Sequence, residues 1–133
     1  MRSGRRVLQF ALAATGLLIS IYLTLYHYAG VPLVCSETGL INCASVLNSP
    51  LASIFGIPIA VYGMVFFVVA ILLLFQKNLD AIAVWNLFGV GSVVYFVYLE
   101  HVIGSICIWC TAVHLTAIIL FAISVYDLMR KAA

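Results

Sequence analysis

The stretch GSICIWCTAVH, residues 104–114, places two cysteines three positions apart at the beginning of a long apolar segment. That segment, residues 105–126, is close to the ~20 apolar residues that a helix needs to cross a bilayer. A thiol pair at this spacing is compatible with a disulfide, with metal binding or with the exchange of electrons. The stretch therefore predicts a membrane helix and leaves the chemistry of its cysteines open.

Three further segments have the same apolar character, and the chain of 133 residues is 66% hydrophobic and 8% charged. A soluble domain of this size could not solvate such a surface, so we expect an integral membrane protein. Open strands cannot satisfy their backbone in lipid, so the segments are expected to be helices. The prediction is an all-α four-helix bundle forming one domain over residues 1–133, with spans at about 7–28, 54–75, 81–102 and 105–126.

The basic residues predict the orientation of this bundle. With four spans, all six lysines and arginines fall on one face, which also holds both termini. Positive residues stay cytoplasmic, so both termini are expected in the cytoplasm. The loop of residues 30–53 and all four cysteines then lie at the outer face, where an oxidising compartment lets disulfides persist. The net charge of +2 does not indicate nucleic-acid binding.

The outer loop contains the other two cysteines, Cys35 and Cys43. Asn42 is a suitable N-cap, so we expect a short surface helix at Cys43–Leu47. Pro50 ends that helix, because the residue before a proline resists helical geometry. A loop of this length can bring the two cysteines within disulfide distance. The pair is compatible with a static staple and with an exchanging disulfide.

Helix geometry aligns the second cysteine pair with other polar side chains. Residues three or four apart share a helix face, so Cys107, Cys110, Thr111 and His114 form one stripe, for which Ser105 is a possible N-cap. The positive end of the helix favours the thiolate, which is the reactive form. Only one pair has the spacing typical of a zinc site, and a disulfide within one helix constrains little. Redox exchange is therefore favoured over zinc binding or a staple.

Redox exchange at membrane depth needs an acceptor that dissolves in lipid, as a quinone does. Disulfides exchange through mixed-disulfide intermediates. We therefore expect a relay from a soluble partner's dithiol to the loop pair, then to the helix pair, and then to quinone. A non-enzymatic membrane scaffold with two structural disulfides is the alternative from another functional class.

The motifs together resemble the vitamin K epoxide reductase family, and more closely its single-domain prokaryotic members. The resemblance is carried by Cys35 and Cys43 in C-x₇-C, by SPLASIFGIP at 49–58, and by C-x-x-C at Cys107. It implies a four-helix bundle around a quinone pocket in the plasma membrane of a prokaryote. The implied quinone is a menaquinone, a ubiquinone or a vitamin K type, and the implied partner is a separate, DsbA-like protein with a thioredoxin fold.

The resemblance also implies roles for individual residues. Cys35 would accept electrons from the partner, Cys43 would pass them to Cys107, and Cys110 would face the quinone ring. The other positions assigned to the site are Ser49 near the active centre and Phe55, Ala52, Thr111 and His114 in the quinone pocket.

Two positions depart from the vertebrate members of the family. The asparagine before SIFG is Ala52 here, and the tyrosine four residues after the last cysteine is His114. In the vertebrate enzymes these two side chains hold the vitamin K head group. Their replacement favours a DsbB-like function, in which the partner is oxidised and a membrane quinone reduced. Reduction of vitamin K quinone or epoxide is the alternative within the same chemistry.

Several other residues in the spans have structural predictions. Glu100 is expected to be an interface residue, with proton handling as the alternative. Trp109 is expected to point away from the cysteine face. Asn86 is expected to make an interhelical hydrogen bond, and three glycines are expected to allow close helix contact. These glycines are Gly63, Gly89 and Gly91.

Overall fold

The computed structural model of the protein describes residues 3–35, 39 and 41–132. In this part of the chain, four helices are long and apolar enough to cross a membrane, which confirms the predicted all-α membrane bundle. A shorter helix lies between the first two of them. The helices are α1 (Ser3–Ala29), the short α2 (Cys43–Leu47), α3 (Ile59–Gln76), α4 (Leu79–Ile103) and α5 (Ile108–Ala132).

The four long helices pack around one apolar core. α1 contacts both α3 and α5 extensively, and α4 packs mainly on α5. The buried centre is formed by five side chains from these four helices. They are Ala13, Phe67, Leu74, Ile82 and Leu120.

Close packing in this core depends on two glycines that face phenylalanine rings. A Cβ atom at Gly16 would overlap the ring of Phe67, and one at Gly89 would overlap the ring of Phe66. At Gly63 it would lie 2.9 Å from a serine hydroxyl of α1. The expected close contacts at Gly63 and Gly89 are therefore confirmed. The expectation for Gly91 is wrong, because a Cβ there would meet nothing within 4 Å.

Buried polar side chains join the helices near the end of the bundle that carries the lysines and arginines, here called the basic end. Asn86 of α4 donates to Ser124 Oγ of α5 at 2.6 Å, which confirms its predicted interhelical hydrogen bond. Gln9 of α1 donates to the same hydroxyl at 3.5 Å. Arg5 Nε lies 2.6 Å from Asp127 Oδ1, so α1 and α5 are also joined by an ion pair.

The connection between α1 and α3 lies at the opposite end, here called the cysteine end because all four cysteines lie there. α2 occupies the predicted residues, and Asn42 Oδ1 accepts from the Ser45 N–H at 2.9 Å as its N-cap. A 3₁₀ turn, Pro50–Ala52, follows. The next residues form a two-stranded antiparallel hairpin, β1 (Ser53–Ile54) with β2 (Ile57–Pro58).

The predicted span boundaries differ from the structure at both ends of the bundle. At the basic end, α1 begins at Ser3 rather than at residue 7, and α5 ends at Ala132 rather than at residue 126.

At the cysteine end, two helices begin later than predicted. α3 begins at Ile59 rather than at residue 54, because the hairpin uses residues 53–58 and turns through Phe55 and Gly56, whose φ angles are +55° and +77°. α5 begins at Ile108 rather than at residue 105. Between α4 and α5 the chain reverses at Gly104, where a φ of +83° ends α4 as the sequence suggested.

Candidate active site

The cysteine end contains one disulfide and one dithiol. Cys35 and Cys43 are joined by a disulfide with a Cα–Cα distance of 6.3 Å. Cys107 and Cys110 are free thiols. The four sulfurs therefore form one oxidised pair on the loop and one reduced pair at the start of α5. The reduced pair carries the two electrons that a disulfide there would lack.

The backbone brings the two pairs together. Ile41 forms a parallel β-bridge with Ile106, and the N–H of Asn42 donates to the Ile106 carbonyl at 3.0 Å. Ile41 lies two residues before Cys43, and Ile106 immediately precedes Cys107. As a result Cys43 and Cys107, both 0% exposed, belong to one buried cluster with Val46 of α2. Cys35, Cys110 and Trp109 pack against the same cluster.

Cys107, rather than Ser105, occupies the N-cap position of α5. Its carbonyl accepts from the Thr111 N–H at 2.9 Å, and its sulfur accepts from the Cys110 N–H at 3.5 Å. The Ser105 hydroxyl instead contacts the Ser45 hydroxyl of α2 at 3.5 Å. The predicted cap at Ser105 is therefore wrong, because the strand-like bridge at Ile106 delays the first helical residue.

Hydrogen bonding at this N-cap position favours the thiolate of Cys107. The bond from the Cys110 thiol lowers the pKa of Cys107 below its ordinary value, and the backbone N–H groups of Cys110 and Trp109 act in the same direction. Burial and the nearby carboxylate of Glu100 oppose this pKa shift. A thiolate at Cys107 is the form that attacks a disulfide and also the form that leaves one readily.

The chain segment that leads to Cys35 is held by two aromatic side chains. The Tyr22 hydroxyl donates to the Pro32 carbonyl at 2.9 Å and accepts from the Val34 N–H at 2.8 Å. Trp109 Nε1 donates to the Val34 carbonyl at 2.7 Å, and its ring meets Tyr22 edge-on at 5.4 Å. Trp109 therefore reaches the segment before Cys35, and its expected direction off the face of Cys107 and Cys110 stays a prediction.

A mainly apolar cavity of about 100 Å³ lies beside Cys110, between α2 and the halves of the long helices nearest the cysteine end. Cys110, Glu100 and His114 are among its few polar lining residues, and Ala52 also lines it. A second cavity of about 260 Å³ lies between α3, α4 and α5 and shares His114 with the first. Together they exceed the ~300 Å³ at which small-molecule sites usually begin.

Glu100 connects the dithiol to this cavity. Its Oε2 accepts from the Cys107 N–H at 2.9 Å, and its Oε1 lies 3.6 Å from His114 Nδ1. The Phe96 ring stacks on His114 with centroids 6.3 Å apart. Glu100 is only 8% exposed, so the expectation of an interface residue is wrong. The available signal was its position at the end of an apolar span, where ionisable residues are costly and tend to be functional.

Three of the residues assigned to the site do not line the cavity. Ser49 accepts from the Leu51 N–H at 3.2 Å as the cap of the 3₁₀ turn. The Thr111 hydroxyl donates to the Cys107 carbonyl at 2.9 Å. Phe55, at the tip of the hairpin, is 95% exposed. These three side chains are not among the residues that line the cavity, so their assignment to the site stays a prediction.

The cysteine end also contains the residue types that bind metal ions. Over residues 3–35, 39 and 41–132, no group of three or more histidine, cysteine, aspartate or glutamate side chains is arranged to hold a metal ion.

The fold and the site together define a class of protein. An apolar helical bundle with a disulfide packed against a dithiol is a membrane protein built for thiol–disulfide redox chemistry. The profile of the vitamin K epoxide reductase family matches residues 7–125, and the chain belongs to that family. Its members are membrane oxidoreductases that act on disulfides and quinones. A comparison with curated proteins found no match.

Proposed function

We propose that the protein oxidises the dithiol of a separate, thioredoxin-fold partner and passes the electrons to a membrane quinone, so that disulfides form in secreted proteins. The observation that carries this proposal is the shared burial of Cys43 and Cys107 in one cluster, fixed by the bond from Asn42 to Ile106. A purely structural loop disulfide has no need of a thiol beside it.

In the first exchange, a thiolate of the partner attacks the Cys35 sulfur and breaks its bond to Cys43. Cys43 leaves as a thiolate, and the partner is held to Cys35 as a mixed disulfide. The second thiol of the partner then displaces Cys35. The partner has lost two electrons and gained a disulfide, and the loop pair has gained the two electrons.

In the second exchange, the Cys43 thiolate attacks Cys107 of an oxidised Cys107–Cys110 pair and expels the Cys110 thiolate. Cys35 then attacks Cys43, which expels Cys107 and re-forms the loop disulfide. The lowered pKa of Cys107 favours it as the leaving group in this last step. A loop disulfide beside a dithiol, as described above, is the product of the second exchange.

The cavity beside Cys110 fits the requirements of a quinone head group, because it is mainly apolar and has a few polar groups at the dithiol. Cys110, His114 and Ala52 are the residues that would hold the ring there. A bound quinone supplies an acceptor of two electrons and two protons. The apolar wall excludes water, and Cys110 presents the thiol that is oxidised as its disulfide with Cys107 re-forms.

The proposed orientation places the basic end in the cytoplasm and the cysteine end at the outer face. Its support is the distribution of lysines and arginines, which cluster at the basic end. This orientation gives the loop pair access to a partner outside the cytoplasm, where disulfides persist.

The experiment that tests the proposal uses purified protein in nanodiscs with a reduced DsbA-like protein as the thiol donor. Ubiquinone, menaquinone, vitamin K quinone and vitamin K epoxide are offered in separate reactions, and absorbance follows their reduction. We expect reduction of at least one membrane quinone, reduced to background by Cys43→Ala or Cys107→Ala. Asn86→Ala, at the basic end, is the control and should retain activity.

Three outcomes would overturn the proposal. The first is absence of thiol-dependent reduction with every quinone. The second is unchanged activity in the cysteine variants, which would favour a scaffold. The third is reduction of the vitamin K epoxide alone, which would favour the alternative reaction.

A further inference from the structure

We propose that Glu100 and His114 form a proton-transfer pair for the Cys110 thiol, in which His114 exchanges the proton and Glu100 acts through it as a positioning residue. This inference rests on the proposed function, because it concerns the step in which the helix dithiol is oxidised. It is carried by the contacts of Glu100 at the cysteine end and by the shared cavity lining.

Glu100 faces two groups at once. One carboxylate oxygen, Oε2, holds the backbone N–H of Cys107 at 2.9 Å. The other, Oε1, lies 3.6 Å from Nδ1 of His114. This contact occupies the Nδ1 side of the imidazole and leaves Nε2 for the cavity, which Cys110 also lines. An acidic group that orients one nitrogen of a histidine while the other exchanges a proton is a recurrent catalytic arrangement.

His114 is the side chain that forms an ion pair with Glu100 when its imidazole is protonated. No lysine or arginine is among the residues that line the cavity. The Glu100 and His114 side chains are 9% and 12% exposed, and burial of an unpaired carboxylate is costly. The other titratable cavity residues are Cys110 on α5 and Tyr26 and His27 on α1, since α3 contributes only apolar residues and Gly63. Among the residues that line the cavity, His114 is the base that contacts a carboxylate, so we assign it to accept the proton that Cys110 releases when its sulfur bonds to Cys107.

The chemistry of this pair balances. When the disulfide forms from the Cys107 thiolate and the Cys110 thiol, the two sulfurs together lose two electrons and one proton. His114 takes the Cys110 proton at Nε2, and the Glu100 carboxylate balances the imidazolium charge. His114 then returns this proton to the quinone substrate, which also takes the two electrons. Water at the cysteine end supplies the second proton, because the Cys107 proton was lost there when the thiolate formed. No proton from the cytoplasm is required, so the site works behind an apolar wall.

A cycle of variants in quinone-free protein tests the pair without the redox reaction. The loop cysteines stay in their disulfide. The small alkylating reagent iodoacetamide modifies the dithiol, and mass spectrometry measures the rate at which Cys110 is alkylated. Only the thiolate reacts. We expect His114→Gln and Glu100→Gln each to slow alkylation on the order of 100-fold, the lower end of the effect of losing a general base. The double variant should be no slower than His114→Gln, because the two act as one unit.

Glu100→Gln is chosen because its amide oxygen still accepts from the Cys107 N–H, whereas Glu100→Ala removes that anchor. The control is His101→Gln, which changes an exposed neighbour at the same end and should leave the rate unchanged. With partner and quinone supplied, Glu100→Gln should lower kcat about 100-fold while KM for quinone changes less than about threefold.

Two results would overturn the inference. If Glu100→Gln has no effect and Glu100→Ala does, Glu100 only anchors the backbone. If the single effects add in the double variant, the residues act independently. The alkylation rates separate this failure from failure of the proposed function. Coupled alkylation rates without any quinone reduction would contradict the proposed function but support the proton-transfer pair. Quinone reduction with uncoupled alkylation rates would support the function but contradict the pair.

Discussion

The two ends of the bundle both bury polar side chains, but these side chains face different surroundings. At the basic end, Gln9 and Asn86 both donate to the Ser124 hydroxyl and so join three helices, and Arg5 pairs with Asp127. At the cysteine end, the polar side chains surround a cavity and irregular backbone. Polar groups that bond across helices fix packing, whereas polar groups that face a cavity are available for chemistry.

This difference predicts that substitutions at the basic end change stability and that substitutions at the cysteine end change redox chemistry. The largest stability effect is expected for Asp127→Ala. Asp127 is fully buried, and its loss leaves Arg5 without its partner. Removing one partner of a buried pair costs about 3–5 kcal/mol, and we expect the lower value because Arg5 is 26% exposed and can reach water.

The measurement is the free energy of unfolding in a denaturing-detergent titration, with quinone reduction per folded molecule as the second readout. Asp80→Ala is the matched control, because the Asp80–Lys131 pair at the same end is exposed on both sides and should contribute little. A large loss of activity per folded Asp127→Ala molecule would contradict the assignment of this end to packing.

A smaller stability effect is expected for Gly16→Ala in the bundle core. The new methyl group would overlap the buried ring of Phe67, and overpacking typically costs about 1–3 kcal/mol. Gly91→Ala is the control, because it adds the same methyl group where nothing lies within 4 Å. The same unfolding titration compares them. Equal free energies of unfolding for the two variants would show that the core rearranges to accommodate the new methyl group at Gly16.

At the cysteine end, the expected change is chemical and appears as pH dependence. The Cys110 thiol lowers the pKa of Cys107, so the Cys107 thiolate is present above that lowered value and is lost as the pH falls through it. Cys110→Ala removes the donor and should raise the pKa of Cys107, so its thiolate disappears at higher pH. Cys110→Ser keeps a donor and should preserve more of the shift.

The rate at which a small thiol reagent modifies Cys107, followed across pH, distinguishes the two variants. Both carry Cys35→Ala and Cys43→Ala as well, so that Cys107 cannot form a disulfide with the loop. We expect modification to be several-fold slower in Cys110→Ala than in Cys110→Ser near neutral pH. Identical pH profiles would mean that the helix N-terminus alone, and not Cys110, favours the thiolate.

The smallest effect is expected for Trp109→Phe, which keeps an aromatic ring against Tyr22 but loses the bond to the Val34 carbonyl. One hydrogen bond contributes about 0.5–1.5 kcal/mol, or roughly two- to tenfold in an equilibrium constant. The loop disulfide should become easier to reduce by that factor in a glutathione titration. Trp85→Phe loses a similar bond to the Phe66 carbonyl, away from the cysteines, and should leave this equilibrium unchanged.

The sequence predicted the elements whose signals are local. Apolar length gave four spans, and Asn42 with Pro50 bounded α2 correctly. It did not predict the hairpin at 53–58, because SIFGIP is as apolar as the helix that follows it. The turn there depends on a left-handed Phe55, which no propensity favours.

The site was predictable only where one helix face or a family motif carried it. The stripe from Cys107 to His114 follows from helical spacing. The contacts of Glu100 with Cys107 and of Trp109 with Val34 depend on how α4, α5 and the loop meet, which is a tertiary property. Local propensity holds no information on how separate elements pack, so the role of Glu100 was predicted wrongly and the bond from Trp109 to Val34 was not predicted.

The exchange between Cys43 and Cys107 is best measured in Cys110→Ala. In this variant the Cys107 thiolate attacks Cys43 of the loop disulfide and frees Cys35, and Cys110 is no longer present to displace it. The exchange needs no added oxidant. After rapid quenching with N-ethylmaleimide and proteolysis, we predict a Cys43–Cys107 linked peptide pair with Cys35 alkylated. The double variant Cys43→Ala with Cys110→Ala should lack it. Recovery of only the Cys35–Cys43 disulfide from Cys110→Ala, with Cys107 alkylated, would contradict the relay.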